Sequence, residues 1–427
     1  GSRAQEAVPL FFLRATRMSL GMKSLGVLFI PAAVLCSLAG PWQSAHQPPL
    51  IPAGSPTTEV PPWPIFRVAV AVNDFFEWAA WVTRPPGVQA KSLATDYWRS
   101  EVSYALAYHE IFDEVGVTGL QSCEHIAAKR KLHVDFLCRL MKAGEKIQVL
   151  TSGDGLHFSL TEVGKLFTKE HPQSMRPFLL MVNEETRDAW RAASMMSVEN
   201  GVSGFKNQFG EEFWSYHSRP EHQKGMQQFD AAMQAFSSTV LGSQLLDWAP
   251  PRPDALVCDI GGGLGHVVAE FAQHYPALKG AVFDQPSVAD RAAKNFESLG
   301  LSDRLYALPG SFLEPLPANL SSCDVFYMKH ILHDWDDSVC IKILENIKAV
   351  AKPGATVVST DFMTGLDGAE METVKHLLDI NMMASNEAGA RERSLHEYKA
   401  LFTKAGFKAE PTLIKLREVV SMVQAHV

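Results

Sequence analysis

The chain has 427 residues, 46% of them apolar and 20% charged, a balance that fits a globular protein with more than one core. Its formal net charge of −8 gives no electrostatic reason to expect a phosphate backbone or an anionic lipid surface as partner, which leaves small molecules. The six cysteines (Cys36, Cys123, Cys138, Cys258, Cys323, Cys340) form no CxxC pair and no Cys/His ladder at zinc-ligand spacing. They read as mostly buried free thiols, and no metal is expected.

Residues 1–64 read as a leader and a linker. From Ala7 to Thr58 there is no Asp or Glu, Arg14, Arg17 and Lys23 supply positive charge, and an apolar stretch runs from Leu25 to Ala39 with a small-residue exit. That pattern suits a plastid or mitochondrial transit peptide or a secretory signal, with a membrane anchor as the alternative. The stretch is 15 residues long and interrupted by Pro31, short for a membrane span, so the mature body is expected to be soluble without stable membrane association. Seven prolines between Gln47 and Pro64 deny the linker regular structure, and the fold is expected to begin near Ile65.

Residues 65–249 read as a mostly helical domain. The segment Phe66 to Val82 is apolar and aromatic but carries Arg67, Asp74 and Glu77, which favours a packed helix over a membrane helix. Between Asp96 and Leu166, short helices lead into a hairpin: Ile147 to Thr151 and Leu156 to Leu160 flank the turn Ser152-Gly153-Asp154-Gly155, and Thr161 can cap the next helix. Helices followed by a hairpin in this order read as a winged helix. Beside it, Lys129-Arg130-Lys131 invites a DNA-binding reading, but the acidic chain shows no further basic stripe, so a solvated charge run and no nucleic-acid partner are expected. From Phe178 to Leu246 the pattern is helical, with Phe205, Phe209, Phe213, Phe229, Met233 and Phe236 expected in the core.

Pro250 to Pro253 marks a boundary, and residues 250–427 change character. Short apolar strands (Ala255 to Ile260, Lys279 to Phe283, Leu305 to Leu308, Asp324 to Met328, Thr356 to Thr360) alternate with helices at Gly265 to His274, Ser287 to Leu299 and Ser338 to Val350. Such alternation predicts an α/β domain with a parallel sheet covered on both faces and a ligand crevice at the carboxyl ends of its strands.

The first of these strands runs into Asp259-Ile260-Gly261-Gly262-Gly263-Leu264-Gly265-His266. Glycines allow a tight turn and close approach of backbone N–H groups to a ligand. With His266 in place of the last glycine the dinucleotide spacing fails, and Asp259 would repel a pyrophosphate. Asp284, 21 residues beyond Gly263, stands where a carboxylate grips ribose hydroxyls. A nucleoside that lacks phosphates and carries an amino acid is S-adenosylmethionine. A second cluster, Tyr327 to Asp337, ends another strand on the same edge. Within it His333 is a candidate general base, Asp361 and Glu392 are carboxylates that could orient it, and Asp336 and Asp337 are expected to cap the helix near Ser338.

From about Leu93 to the C-terminus, close to four-fifths of the chain, the sequence resembles the small-molecule O-methyltransferases of the caffeate and acetylserotonin type. The matching segments are Tyr97-Trp98, Phe205 to Tyr216, Asp259 to Gly265, Phe283 to Pro286, His330 to Asp337, and Glu392-Arg393-Ser394 leading to Ala405-Gly406-Phe407. The resemblance implies a Rossmann-like class I methyltransferase domain preceded by a winged-helix dimerisation domain, and a homodimer. It places Asp259, Gly261 and Gly263 at the cofactor's amino-acid end, Asp284 and Gln285 at its ribose, Ser311 and Phe312 at its adenine, and Lys329 at its carboxylate. His333 would be the base, flanked by Asp361 and Glu392. Asn183, Trp190, Phe205, Gln208 and Met233 would help to wall the acceptor pocket. Two departures stand out: Gly310-Ser311-Phe312 replaces the family's Gly-Asp pair before an aromatic residue or Met, and Asp361 stands where Glu is common.

Methyl transfer from a sulfonium is an in-line displacement, so a base is needed only when the acceptor must lose a proton. Motifs favour a hydroxyl acceptor. The resemblance also extends to enzymes that S-methylate 4-methylthio-2-hydroxybutyrate on the route to dimethylsulfoniopropionate, an acid for which Arg187, Arg191, Tyr97 or Gln208 could provide an anchor. A non-catalytic winged-helix sensor of S-adenosylmethionine is the alternative from another class.

Overall fold

The computed structural model describes residues 62–366, 369–417 and 419–427, so the leader, Cys36 and all but the end of the Pro-rich linker lie outside the described residues. A helix spans Trp63–Val82 and starts right after Pro62, whose φ of −52° and ψ of 149° suit an extended entry. None of its side chains is buried, and Phe76, Trp78 and Trp81 are exposed. Phe66, Val70 and Phe75 are half-buried, so the helix packs in part and leaves the rest of its apolar surface uncovered. Its first turn is tied to the body through the Trp63 indole, which donates to Asp247 Oδ1 at 3.0 Å.

The next helices gather a core around Leu106, Ile111, Phe112, Met141 and Phe158. The anticipated hairpin is present: β2 (Leu150–Thr151) pairs antiparallel with β3 (His157–Leu160), and β1 (Gln121–Ser122) pairs with the other edge of β3. Thr161 caps the following turn by accepting from Gly164 N at 3.0 Å. The basic cluster is spent locally, since Lys129 and Arg130 both pair with Glu114 and Arg130 also pairs with Glu110.

The second half is a seven-stranded sheet in the order β6-β5-β4-β7-β8-β10-β9. Five parallel strands, β4 (Leu256–Ile260), β5 (Lys279–Asp284), β6 (Leu305–Pro309), β7 (Val325–Lys329) and β8 (Thr356–Asp361), fall within a residue or two of the predicted ones. The sheet is not wholly parallel, however. β9 (Thr412–Lys415) and β10 (Ser421–His426) add an antiparallel edge, with Ser421 opposite Asp361. Alternate residues supply the two faces: Cys258, Phe326 and Val357 pack into one core, and Val257, Tyr327 and Val358 into the other. The strand order reverses direction between β4 and β7, where a parallel sheet opens its ligand crevice. This is a Rossmann-like fold with an antiparallel pair of strands added on one side.

Four of the cysteines are not free thiols. Cys123 is bridged to Cys138, and Cys258 to Cys323, leaving Cys340 as the buried free thiol among the described residues. The second bridge joins partners 65 residues apart in sequence that the neighbouring strands β4 and β7 bring to a Cα separation of 6.0 Å. Chain spacing alone does not disclose that adjacency.

Candidate active site

A cavity of about 680 Å³ opens at the carboxyl ends of β4 and β7 and extends under the helices Arg176–Asn183, Gln223–Asp247 and Ala369–Ser385. One end is formed by the Gly-rich turn. Asp259 is 1% exposed, and its Oδ2 has no hydrogen-bond partner. Burial pushes this carboxyl up to about 7, against the pull of the Lys329 ammonium. The backbone of the turn is left-handed at Gly261, Gly263 and Gly265. A Cβ at Gly265 would stand 2.3 Å from the Phe296 ring, so this glycine also lets the helix Pro286–Ser298 pack its Phe296 against the turn.

Asp284 at the end of β5 accepts from Gly263 N at 2.9 Å and from Gln285 N at 2.7 Å, which fixes its carboxylate at the cavity edge. Gln285 and Ser311 are exposed at the same edge, and the Ser311 hydroxyl is engaged by Leu313 N at 3.2 Å. Phe312 meets Trp335 edge to face with ring centroids 6.1 Å apart. His266 also lines this end, held down to about 4 by burial and by Lys329. The geometry offers a buried unpaired carboxylate oxygen, a backbone cradle, a second carboxylate and an aromatic face, with no anion-binding cation cluster. These fit an ammonium, a sugar diol and a base ring, the parts of S-adenosylmethionine.

The other end holds the histidine cluster. A short turn, Leu332–Asp334, follows β7 and carries His333, which is 6% exposed. Its Nδ1 lies 2.8 Å from Glu392 Oε1 and its Nε2 3.4 Å from Asp334 Oδ1. Burial alone would lower this imidazole, but Glu392 and Asp334 together drive it up to about 10. Asp334 is itself raised to about 7 by burial and takes a hydrogen bond from Asn386 Nδ2 at 2.6 Å. Asp361 lies on the same floor, with one carboxylate oxygen within 4.8 Å of a His333 ring nitrogen, but Glu392 and not Asp361 makes the short contact to that ring. Asp361 also faces His330, whose Nδ1 is 3.9 Å from its Oδ1, because β8 brings it beneath the residue that begins the turn.

The acceptor side divides the remaining expectations. Trp190 and Met233 line the cavity, Trp190 donating to Asn381 Oδ1 at 2.7 Å. Asn183 does not line it: its amide donates to Leu179 O and accepts from Ser100 Oγ, which ties two helices together. Phe205 is buried in an aromatic cluster with Phe209 and Phe213 rather than at the cavity. Gln208 is exposed on the outer surface of its helix. Of the other anchors considered, Arg187 pairs with Glu101 and lies over the Tyr97 ring, and Arg191 is exposed.

Three participants escaped the sequence reading. Asp334 was visible beside His333 but reads equally as a turn residue. Asp230, from the helix Gln223–Asp247, lines the cofactor end and pairs with Arg291. Arg393 is fully buried and clamps the histidine turn, donating to Leu332 O at 2.8 Å and Trp335 O at 2.7 Å while pairing with Asp337. Its place directly after Glu392 was the available signal.

Residues 191–408 match the O-methyltransferase domain family, just over half of the chain. The chain belongs to this family. It is similar to the phenazine O-methyltransferase of Lysobacter antibioticus, with 30% identity over 321 residues, covering 75% of this chain and 91% of that one. The crystal structure of LaPhzM superposes with a TM-score of 0.74 at 27% identity, over 80% of this chain and 99% of that one. Human N-acetylserotonin methyltransferase, solved in complex with S-adenosylmethionine, shares the fold with a TM-score of 0.71 at 24% identity, over 80% of this chain and 98% of that one. The O-methyltransferase is accordingly an enzyme that uses S-adenosylmethionine and acts on small molecules. Among the described residues no helix is long and apolar enough to cross a membrane.

Proposed function

We infer that the cavity aligns the hydroxyl of a small-molecule acceptor with the methyl donor, and that His333 takes the hydroxyl proton. The observation that carries this reading is the His333–Glu392 contact at 2.8 Å on the wall of a cavity whose far end fits the cofactor. Bound S-adenosylmethionine supplies an electrophilic methyl group on a sulfonium. Asp259 would pair with its ammonium, Asp284 and Gln285 with its ribose, Lys329 with its carboxylate, and Phe312 would stack on its adenine. Phe178, Met181, Met233 and Phe236 line the acceptor side and exclude water from the reacting atoms. Glu392 fixes the ring through Nδ1, and Arg393 holds the turn in place behind it.

The carboxylates set the pH at which this base works. His333 must be neutral to accept a proton, and Glu392 and Asp334 favour its charged form, so kcat/KM with a hydroxyl acceptor is expected to climb through the alkaline range. Glu392→Gln removes the larger of the two raising charges, and the ascending limb should move to lower pH. A pH–rate profile of both enzymes checks this; a limb that stays in place, or moves to higher pH, contradicts the role given to Glu392.

A second reading draws on the same observation. An imidazole held protonated beside the cavity is a cation where the sequence-based candidates Arg187, Arg191, Tyr97 and Gln208 supply none. It could anchor the carboxylate of a thioether acid such as 4-methylthio-2-hydroxybutyrate, whose S-methylation releases no proton. We also assign the exposed apolar helix Trp63–Val82 to contact with a second copy in a homodimer. Sedimentation equilibrium should give twice the chain mass, falling to one chain mass for Phe76→Asp combined with Trp78→Asp; a monomeric wild type contradicts this.

A further inference from the structure

We propose that the floor of the cavity is a binding site for a divalent transition metal of the zinc type, formed by His330, His333 and Asp361. One donor atom from each of the three lies within 4.8 Å of the other two. Asp361 is fully buried; the Ser359 hydroxyl donates to its Oδ2 at 2.6 Å and the buried Tyr398 phenol also approaches the carboxylate, while its Oδ1 makes no well-aligned hydrogen bond. Both ring nitrogens of His330 are likewise buried without a partner, and Nδ1 is 3.9 Å from that same Oδ1. Buried polar atoms are ordinarily satisfied, so unpaired nitrogens and an unpaired carboxylate oxygen meeting at one point call for an occupant that accepts lone pairs from both.

The supporting groups have the arrangement such an ion requires. His333 is oriented through Nδ1 by Glu392, the carboxylate–histidine relation that fixes a ligating imidazole and raises its basicity. His330 adopts φ of +54°, a left-handed conformation uncommon for a residue with a Cβ, and its ring stacks on Phe362 at 4.8 Å with planes 15° apart. That stacking holds the imidazole at the floor, and the two histidine rings lie with centroids 5.2 Å apart. Two imidazoles and one carboxylate are a donor set suited to zinc, and three protein ligands leave a position open toward the cavity.

Occupancy has a direct consequence under the function proposed above. An ion that takes a lone pair of His333 removes the group that accepts the acceptor's proton, so the site is inhibitory. The metal takes no part in methyl transfer.

Cobalt(II), a spectroscopic stand-in for zinc, is added to the cofactor-free full chain after chelation and desalting. Wild type is expected to give a saturable visible band at one cobalt per chain that zinc abolishes. His330→Asn keeps a residue tolerant of positive φ and should weaken cobalt binding about 100-fold or more, as should Asp361→Asn. No band in wild type, or an unchanged cobalt titration in His330→Asn, overturns the site. Zinc at saturation should suppress turnover and chelation should restore it. A band accompanied by undiminished turnover would leave the metal site standing and overturn both its inhibitory role and the assignment of His333 as base.

Discussion

Replacing His333 with alanine is expected to lower kcat with a hydroxyl acceptor by about 10²- to 10⁴-fold, the range lost when a positioned general base is removed. Cofactor affinity should change little, because the imidazole stands at the end of the cavity away from the Gly-rich turn. The size of the effect follows from the environment: a 6% exposed ring with one nitrogen 2.8 Å from Glu392 cannot easily be replaced by solvent. Stopped single-turnover assays at several pH values separate the role from folding, since a merely structural histidine would reduce the rate without removing the alkaline limb. A variant that keeps wild-type turnover on a hydroxyl acceptor contradicts the assignment.

Asp259→Asn is expected to weaken binding of S-adenosylmethionine by about 10- to 150-fold, the value of one charge-assisted hydrogen bond of about 1.5–3 kcal/mol. The amide keeps the shape but cannot neutralise an ammonium at a buried site. The pH dependence is the sharper signature. Burial raises the Asp259 carboxyl to about 7, so in the free enzyme it is protonated below neutrality and must ionise to pair with a cation. Affinity should therefore tighten as pH rises through neutrality in wild type and stay flat in the Asn variant. Calorimetric titration measures both, and equal affinities at all pH values would remove Asp259 from the cofactor site.

The parts of this molecule that could be read in its sequence are those where local pattern and burial coincide. The five central strands are covered on both faces and appear as short apolar runs between helices, so β4, β5, β6, β7 and β8 were placed within a residue or two. β9 and β10 were not seen, because Ser421–His426, though mostly buried between β8 and β9, breaks its apolar run with Ser421, Gln424 and His426. The cofactor turn was legible for a similar reason: Asp259, the glycines and Asp284 sit at fixed distances along consecutive elements.

Where contacts depend on how distant segments pack, the sequence was silent. Periodicity singled out both Phe205 and Met233 as apolar positions, yet only packing decides that the first enters an aromatic core and the second faces the cavity. Asp361 and Glu392 were both candidates to orient His333, and packing gives Glu392 the 2.8 Å contact while the register of β8 against β7 sets Asp361 between His333 and His330. The Cys258–Cys323 bridge depends on the same strand adjacency.

Base-assisted methyl transfer to oxygen in this cavity is tested most directly by incubating the enzyme with methyl-labelled S-adenosylmethionine and a panel of matched hydroxyl and thioether acceptors, with His333→Ala alongside. Label is expected on a hydroxyl oxygen with wild type and should be lost in the variant. Label confined to a thioether sulfur, with no hydroxyl methylated, would contradict it.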